Sequence, residues 1–170
     1  MFCMAIWLFG NIFMTVIATQ NFYTIDRLIA DSPSEIFNST VAAMQNPSAY
    51  EMLRYLSSEL NRLYFQYWNL AQLPLGILAL WLVSGLPDSK GPTWEIVGML
   101  LVVLFLMVFI TPAILRIGRN MDFVPRDPTP PQMRTFGLLH TAYIVITVIN
   151  LALGTAVTLW LQKERSIVKD

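Results

Sequence analysis

Residues 96–115 read IVGMLLVVLFLMVFITPAIL, twenty consecutive positions without an ionisable side chain. A helix rises about 1.5 Å per residue and needs roughly 20 mostly apolar residues to cross a hydrocarbon layer. Windows 1–25, 63–87 and 135–162 are equally free of Asp, Glu, Lys and Arg. A soluble domain of 170 residues has no room to bury four such helices. Composition agrees: 55% of residues are apolar and 13% charged, against about 25% charged in soluble domains. The expected fold class is therefore all-α, a single domain 1–170 forming an integral membrane bundle of four transmembrane helices. The spans fall near 2–25, 63–84, 96–116 and 135–161, with a short extramembrane helical segment at 32–62 between the first two.

The polar stretches divide the chain further. The first window has no Lys or Arg ahead of its apolar core, so it reads as a helix rather than a secretory signal. Ser32-Pro33-Ser34-Glu35 predicts a capping box with Pro33 at the first helical position, opening a short helix to about Gln45. Asn46-Pro47 starts the second long helix, which runs to about Ser84 with a kink expected at Pro74 and Gly76. Residues 85–92 form a hairpin loop, and the third helix spans about 93–119. Four prolines between Asp122 and Pro131 make an extended connector, after which the fourth helix runs over about 132–163. Trp7, Trp68, Trp81, Trp94 and Trp160 suit interfacial anchoring, with Trp68 and Trp81 placed deeper.

Four crossings put both termini and residues 85–92 on one side, with Lys90, Lys163, Arg165 and Lys169. The other side holds Arg27, Arg54, Arg62, Arg116, Arg119, Arg126 and Arg134. The positive-inside rule turns the arginine-rich side to the cytoplasm, of a bacterial inner membrane or an organelle.

Polar residues inside a membrane are costly without partners, so their spacing marks the hidden faces. Glu51, Arg54, Ser58, Arg62, Gln66, Asn69 and Gln72 form one stripe on the second helix. His140, Tyr143, Thr147, Asn150, Gly154 and Thr158 form another on the fourth, and Asn11, Thr15 and Thr19 a third on the first. Almost nothing polar lies between Gly98 and Ile110. Helices one, two and four are thus expected to turn polar faces to one another, and helix three to face lipid or a partner protein. The stripes serve either as interhelical hydrogen bonds, at about 0.6 kcal/mol each, or as the wall of a polar cavity.

His140, Tyr143, Asn150, Asn69 and Gln72 are the ligand- or pigment-binding candidates. Glu59 with Arg62, and Asp26 with Arg27, are the candidate ion pairs. His140 is the single histidine, and Cys3 the single cysteine. Haem is disfavoured, since a second axial ligand would have to be a Met and no attachment pair exists. A chlorophyll-type pigment, which needs one axial ligand, or a lipid stays open; no metal site is expected. Net charge is zero, which points to no nucleic-acid partner. No phosphate loop, nucleophile elbow or zinc-protease pair occurs. An intramembrane enzyme would have only His140, Tyr143 and Glu59 to draw on. Asn38-Ser39-Thr40 matches the short glycosylation sequon.

Phe136-x-x-x-His140 with Asn150-Leu151 on the same helix resembles the last helix of a small four-helix membrane family. That family includes the eukaryotic transmembrane protein 205 and a bacterial domain of unknown function. Ser58-Glu59-Leu60-Asn61-Arg62-Leu63-Tyr64-Phe65 is similar to its Leu-Phe-Pro-x-Tyr-Phe segment, with Asn61-Arg62 in place of Phe-Pro. The His140-to-Asn150 spacing is wider than the family's. The resemblance implies the four-helix fold and no established activity.

The expected function is that of a non-catalytic structural or accessory subunit of a larger membrane complex, respiratory or photosynthetic, in contact with lipids and other subunits. The alternative is a small transporter or channel-like protein, dimeric, using the polar faces of helices one, two and four.

Overall fold

The computed structural model describes residues 1–44, 46–125 and 127–167. Among these there is helix and turn but no strand. The helices are α1 (Phe2–Ala30), α2 (Glu35–Ala43), α3 (Asn46–Ser84), α4 (Lys90–Phe105), α5 (Thr111–Arg119) and α6 (Gln132–Ile167). A π-helical turn, Leu106–Ile110, joins α4 to α5. Four stretches are long and apolar enough to cross a membrane: Phe2–Ala30, Ser48–Ser84, Lys90–Arg119 and Gln132–Glu164. They pack as a ring in which α1 meets α3, α3 meets α4, α4 meets α6 and α6 meets α1. Gln45, where the sequence ends the short helix, and Arg126 and Lys169 lie outside the described residues.

Several boundaries differ from expectation for local reasons. The short helix is capped by Ser34, whose Oγ accepts from Phe37 N at 3.2 Å. Ser32 Oγ instead accepts from Ser34 N, at 3.2 Å, and its carbonyl accepts from Asn38 Nδ2. This hydroxyl-to-backbone turn keeps Pro33 outside the helix. α3 continues through Pro74 to Ser84, the end that the sequence placed there. α4 begins earlier than expected, at Lys90, so Pro92 sits in its first turn, where a missing N–H costs nothing.

In hydrocarbon, helix association depends on close packing rather than on apolar transfer. Small residues set that packing here. A Cβ on Gly10 would stand 2.0 Å from the Trp68 ring, so this glycine seats the indole flat against α1. Trp68 Nε1 then donates to Asn11 Oδ1 at 3.1 Å and locks the pair. At Gly76 a Cβ would meet Leu100 and Trp7 at 2.5 and 2.8 Å. Around these contacts lies a dry core of Cys3, Met4, Trp7, Ala79, Val83, Ile96, Met99, Val103 and Val157. Trp7, expected at the interface, is 1% exposed and belongs to this core, while Trp81 and Trp94 are 71% and 73% exposed.

Ile96, Met99 and Val103 are among the most buried residues of the chain. The third crossing is therefore buried to the same extent as the second, although it has no polar stripe. One face of it completes the core, and only the opposite face, with Leu101, Phe105, Val108 and Phe109, is exposed. Apolar residues bury against apolar neighbours here without needing a polar stripe. The buried positions run 96, 99, 103 and 106, then jump five to Thr111 and seven to Gly118. The π turn supplies the extra residue in that jump, directly ahead of Pro112.

Candidate functional site

At the end of the bundle away from Trp7 the helices do not close. A cleft of about 730 Å³ opens there, lined by Phe22 of α1, one face of α3 from Tyr50 to Arg62, Gly118 and the connector after α5, and Phe136 and His140 of α6. An extension of about 130 Å³ shares Phe22, Ser58, Arg62, Phe136 and His140 with it. It continues to Phe65, Thr111, Ile114, Leu115 and Tyr143. The outer part is mixed in polarity, and the inner part is aliphatic and aromatic.

The neck between the two parts is held by charge. Arg62 Nη1 lies 2.6 Å from Glu59 Oε1 and 2.8 Å from Asp122 Oδ2, and Nη2 lies 3.0 Å from Asp122 Oδ1. Glu59 also accepts from Arg119 Nε and Nη2, both at 3.2 Å. Four residues thus alternate in sign, Arg119, Glu59, Arg62 and Asp122, and cancel one another. The Arg62 and Asp122 side chains are 10% and 15% exposed. Breaking so enclosed a pair costs about 3–5 kcal/mol, because the survivor is left desolvated. Gly118 makes the room, since a Cβ there would stand 3.1 Å from Arg62 Nη2 and 3.4 Å from Phe136.

Behind the extension sits a polar node. Asn69 Nδ2 donates to Thr111 Oγ1 at 3.1 Å, and Tyr143 Oη donates to Asn69 Oδ1 at 3.2 Å. One amide thereby ties α3 to α5 and α6. Phe65 meets the Tyr143 ring edge-on at 5.7 Å and fixes its direction.

The outer wall is aromatic and cationic. The Arg54 guanidinium lies over the Phe22 ring at 5.3 Å and the Tyr50 ring at 5.5 Å. Arg54 Nη1 donates to Tyr50 Oη at 3.0 Å, and Tyr50 Oη donates to Asp26 Oδ1 at 3.1 Å. Phe123 closes the rim with its ring 5.1 Å from Tyr55. Its backbone is left-handed, φ 58°, a conformation that costs a bulky residue about 1–3 kcal/mol and persists only where packing imposes it.

The sequence candidates separate into three groups. His140 and Tyr143 line the cleft; His140 is exposed, its ring stacked on Phe136 at 6.0 Å. Asn69 stands one hydrogen bond behind Tyr143. Gln72 and Asn150 do not reach the cleft. Gln72 turns to its own helix, at 3.5 Å from Trp68 O, and Asn150 Nδ2 donates to Met99 O at 3.3 Å. Asn150 Oδ1, Thr147 Oγ1 and Trp7 Nε1 are buried without a partner among the described residues.

Glu59 and Arg62 pair within a larger network than the sequence indicated. Asp26 and Arg27 form no ion pair among the described residues, because Asp26 is engaged by Tyr50. The stripes of α1 and α3 are only partly interior. Thr15 and Thr19 are exposed and bond to their own helix, and Gln66 is exposed. Thr111, Asp122, Arg54 and Tyr50 are site residues that stripe reasoning missed or undervalued. The four-residue spacing of Tyr50 and Arg54 was a usable signal; Asp122 lies sixty residues from Arg62 and gave none.

Among the described residues, no group of three or more His, Cys, Asp or Glu could hold a metal ion. Comparisons with protein-family models, curated proteins and solved structures give no match to this chain.

Proposed function

We propose that this chain is a non-catalytic, multi-pass membrane protein that holds a small amphipathic molecule in the cleft at the arginine-rich end of its bundle. That end faces the cytoplasm, by the excess of arginines on it. The observation that carries the proposal is the cleft itself. Its volume of about 730 Å³ lies within the 300–1,000 Å³ of ordinary small-molecule sites. Its lining passes from charged at the rim to apolar at depth, which matches a molecule with a polar head and an apolar body.

A site closed at one end suits binding better than conduction. Beyond the Asn69 node the bundle is filled by Trp7, Met99, Val103 and their neighbours, and a polar pathway across it would have to displace that core. The interhelical hydrogen bonds tie α3 to α1, α5 and α6, and α6 to α4, rather than form a continuous file.

The test is extraction in mild detergent followed by native mass spectrometry and an absorbance spectrum. The wild-type protein is expected to carry a small molecule that Ser58→Phe, which places a ring in both parts of the cleft, loses while staying folded. A visible absorption band that disappears with His140→Ala would identify the occupant as a pigment. Co-purifying protein subunits, with no small molecule in either variant, would replace the binding role by the accessory-subunit role.

A further inference from the structure

The ligand's head group can be assigned from the two arginines of the cleft. Arg62 is the deeper one, and its charge is consumed: both Nη atoms bond to Asp122, and Nη1 to Glu59 as well. Arg54 is different. It has no carboxylate within ion-pair distance among the described residues. It donates instead to a neutral hydroxyl, Tyr50 Oη.

The Arg54 side chain is half-buried and lies within cation–π distance of two rings, Phe22 and Tyr50. These contacts and the bond to Tyr50 Oη restrain the side chain before any ligand arrives, so less rotamer freedom remains to be lost on binding. Tyr50 is itself oriented by Asp26. Acids are not absent from the neighbourhood. Glu51 lines the same rim but is exposed, and Asp122 is taken by Arg62. Asp26 reaches Arg54 only through the Tyr50 hydroxyl, so Arg54 is the half-buried charge of the cleft lining without a carboxylate in direct contact, and it has the fork geometry that matches a carboxylate or phosphate.

Resting on the cleft being a ligand site, we infer that the occupant is an anionic amphiphile. Its phosphate or carboxylate head engages Arg54, and its apolar tail passes the Arg62 neck into the extension lined by Phe65, Ile114, Leu115 and Tyr143. A purely apolar molecule would leave Arg54 uncompensated, and a cationic head would meet it with like charge.

The full chain in uncharged detergent would be titrated with dodecyl phosphate, dodecanoate, dodecyl maltoside and inorganic phosphate, with binding read by native mass spectrometry. Dodecyl phosphate, dodecanoate or both should bind. Arg54→Gln, which keeps a donor for Tyr50, should weaken them about tenfold or more, and Arg54→Lys should restore part of the loss. Ser58→Phe should abolish binding of both while leaving the thermal transition in place. The relative affinities of the two anions show whether a lipid phosphate or a free fatty acid is the better source.

Equal binding of the maltoside, unaffected by Arg54→Gln, would overturn the anionic head and leave the cleft standing. Inorganic phosphate binding as tightly as dodecyl phosphate would overturn the tail. Binding of none of the four probes would overturn the cleft as a ligand site as well.

Discussion

The two ends of this bundle are built from the same four crossings and solve opposite problems. At the Trp7 end, glycines bring the helices together, and Met, Val and Ile fill the space between them. At the cleft end, arginines and aromatic rings hold the helices apart and stand at the edges of the gap. Bulk placed against glycine closes a membrane bundle. Arginines and rings braced by ion pairs, with Gly118 leaving room for Arg62, keep one open.

That contrast can be broken or sharpened by mutation. The largest effect is expected at the closed end. Trp7→Ala, at a position 1% exposed, should cost about 3–5 kcal/mol through the cavity it leaves, read by steric trapping in bicelles. Ligand retention should persist in the fraction that stays folded, and its loss would show that the ends are coupled. Asp122→Ala comes next. It strips Arg62 of its two bonds to Asp122 and leaves only Glu59, for about 3 kcal/mol. A loss this size should appear as a lower thermal transition and a collapsed cleft; an unchanged transition would mean that water already reaches Arg62.

Asn69→Val removes two interhelical hydrogen bonds at about 0.6 kcal/mol each. Roughly 1 kcal/mol is expected, with the Phe65–Tyr143 edge contact loosened, which aromatic NMR linewidths would report. Smallest of all is Arg119→Ala. That side chain is 58% exposed, and exposed ion pairs contribute little. Its melting temperature should match wild type, and a clear drop would mean that the Glu59 bond is less screened than its exposure implies.

How much of this was legible beforehand follows the same division. Apolar length alone identified four helices, because the membrane criterion is local in sequence. The helix order and the loop between the third and fourth crossings could be read for the same reason. The side of α4 that faces inward could not, since a helix apolar all round carries no periodic signal. In the site, Glu59 and Arg62 were legible as neighbours one turn apart. Their completion by Asp122 and Arg119 depends on how α5 ends against α3, which no local pattern encodes. Asn150 and Gln72 looked like cleft residues because a stripe fixes a helix face but not a depth or a partner. Arg54 was seen as one more stripe position, because its lack of a carboxylate partner emerges only in three dimensions.

The π turn at residues 106–110 gives the third crossing two angular settings in place of one. Each residue advances a helix by about 100°, so the extra residue rotates everything after it by that amount relative to everything before. Without it, continuing the rhythm of Met99, Val103 and Leu106 would carry Ile110 and Ile117 inward, two branched aliphatics. With it, Thr111 and Gly118 arrive there, the hydroxyl that meets Asn69 and the gap that admits Arg62. A single inserted position thus acts as a phase switch, setting the dry half and the open half of one helix independently of each other.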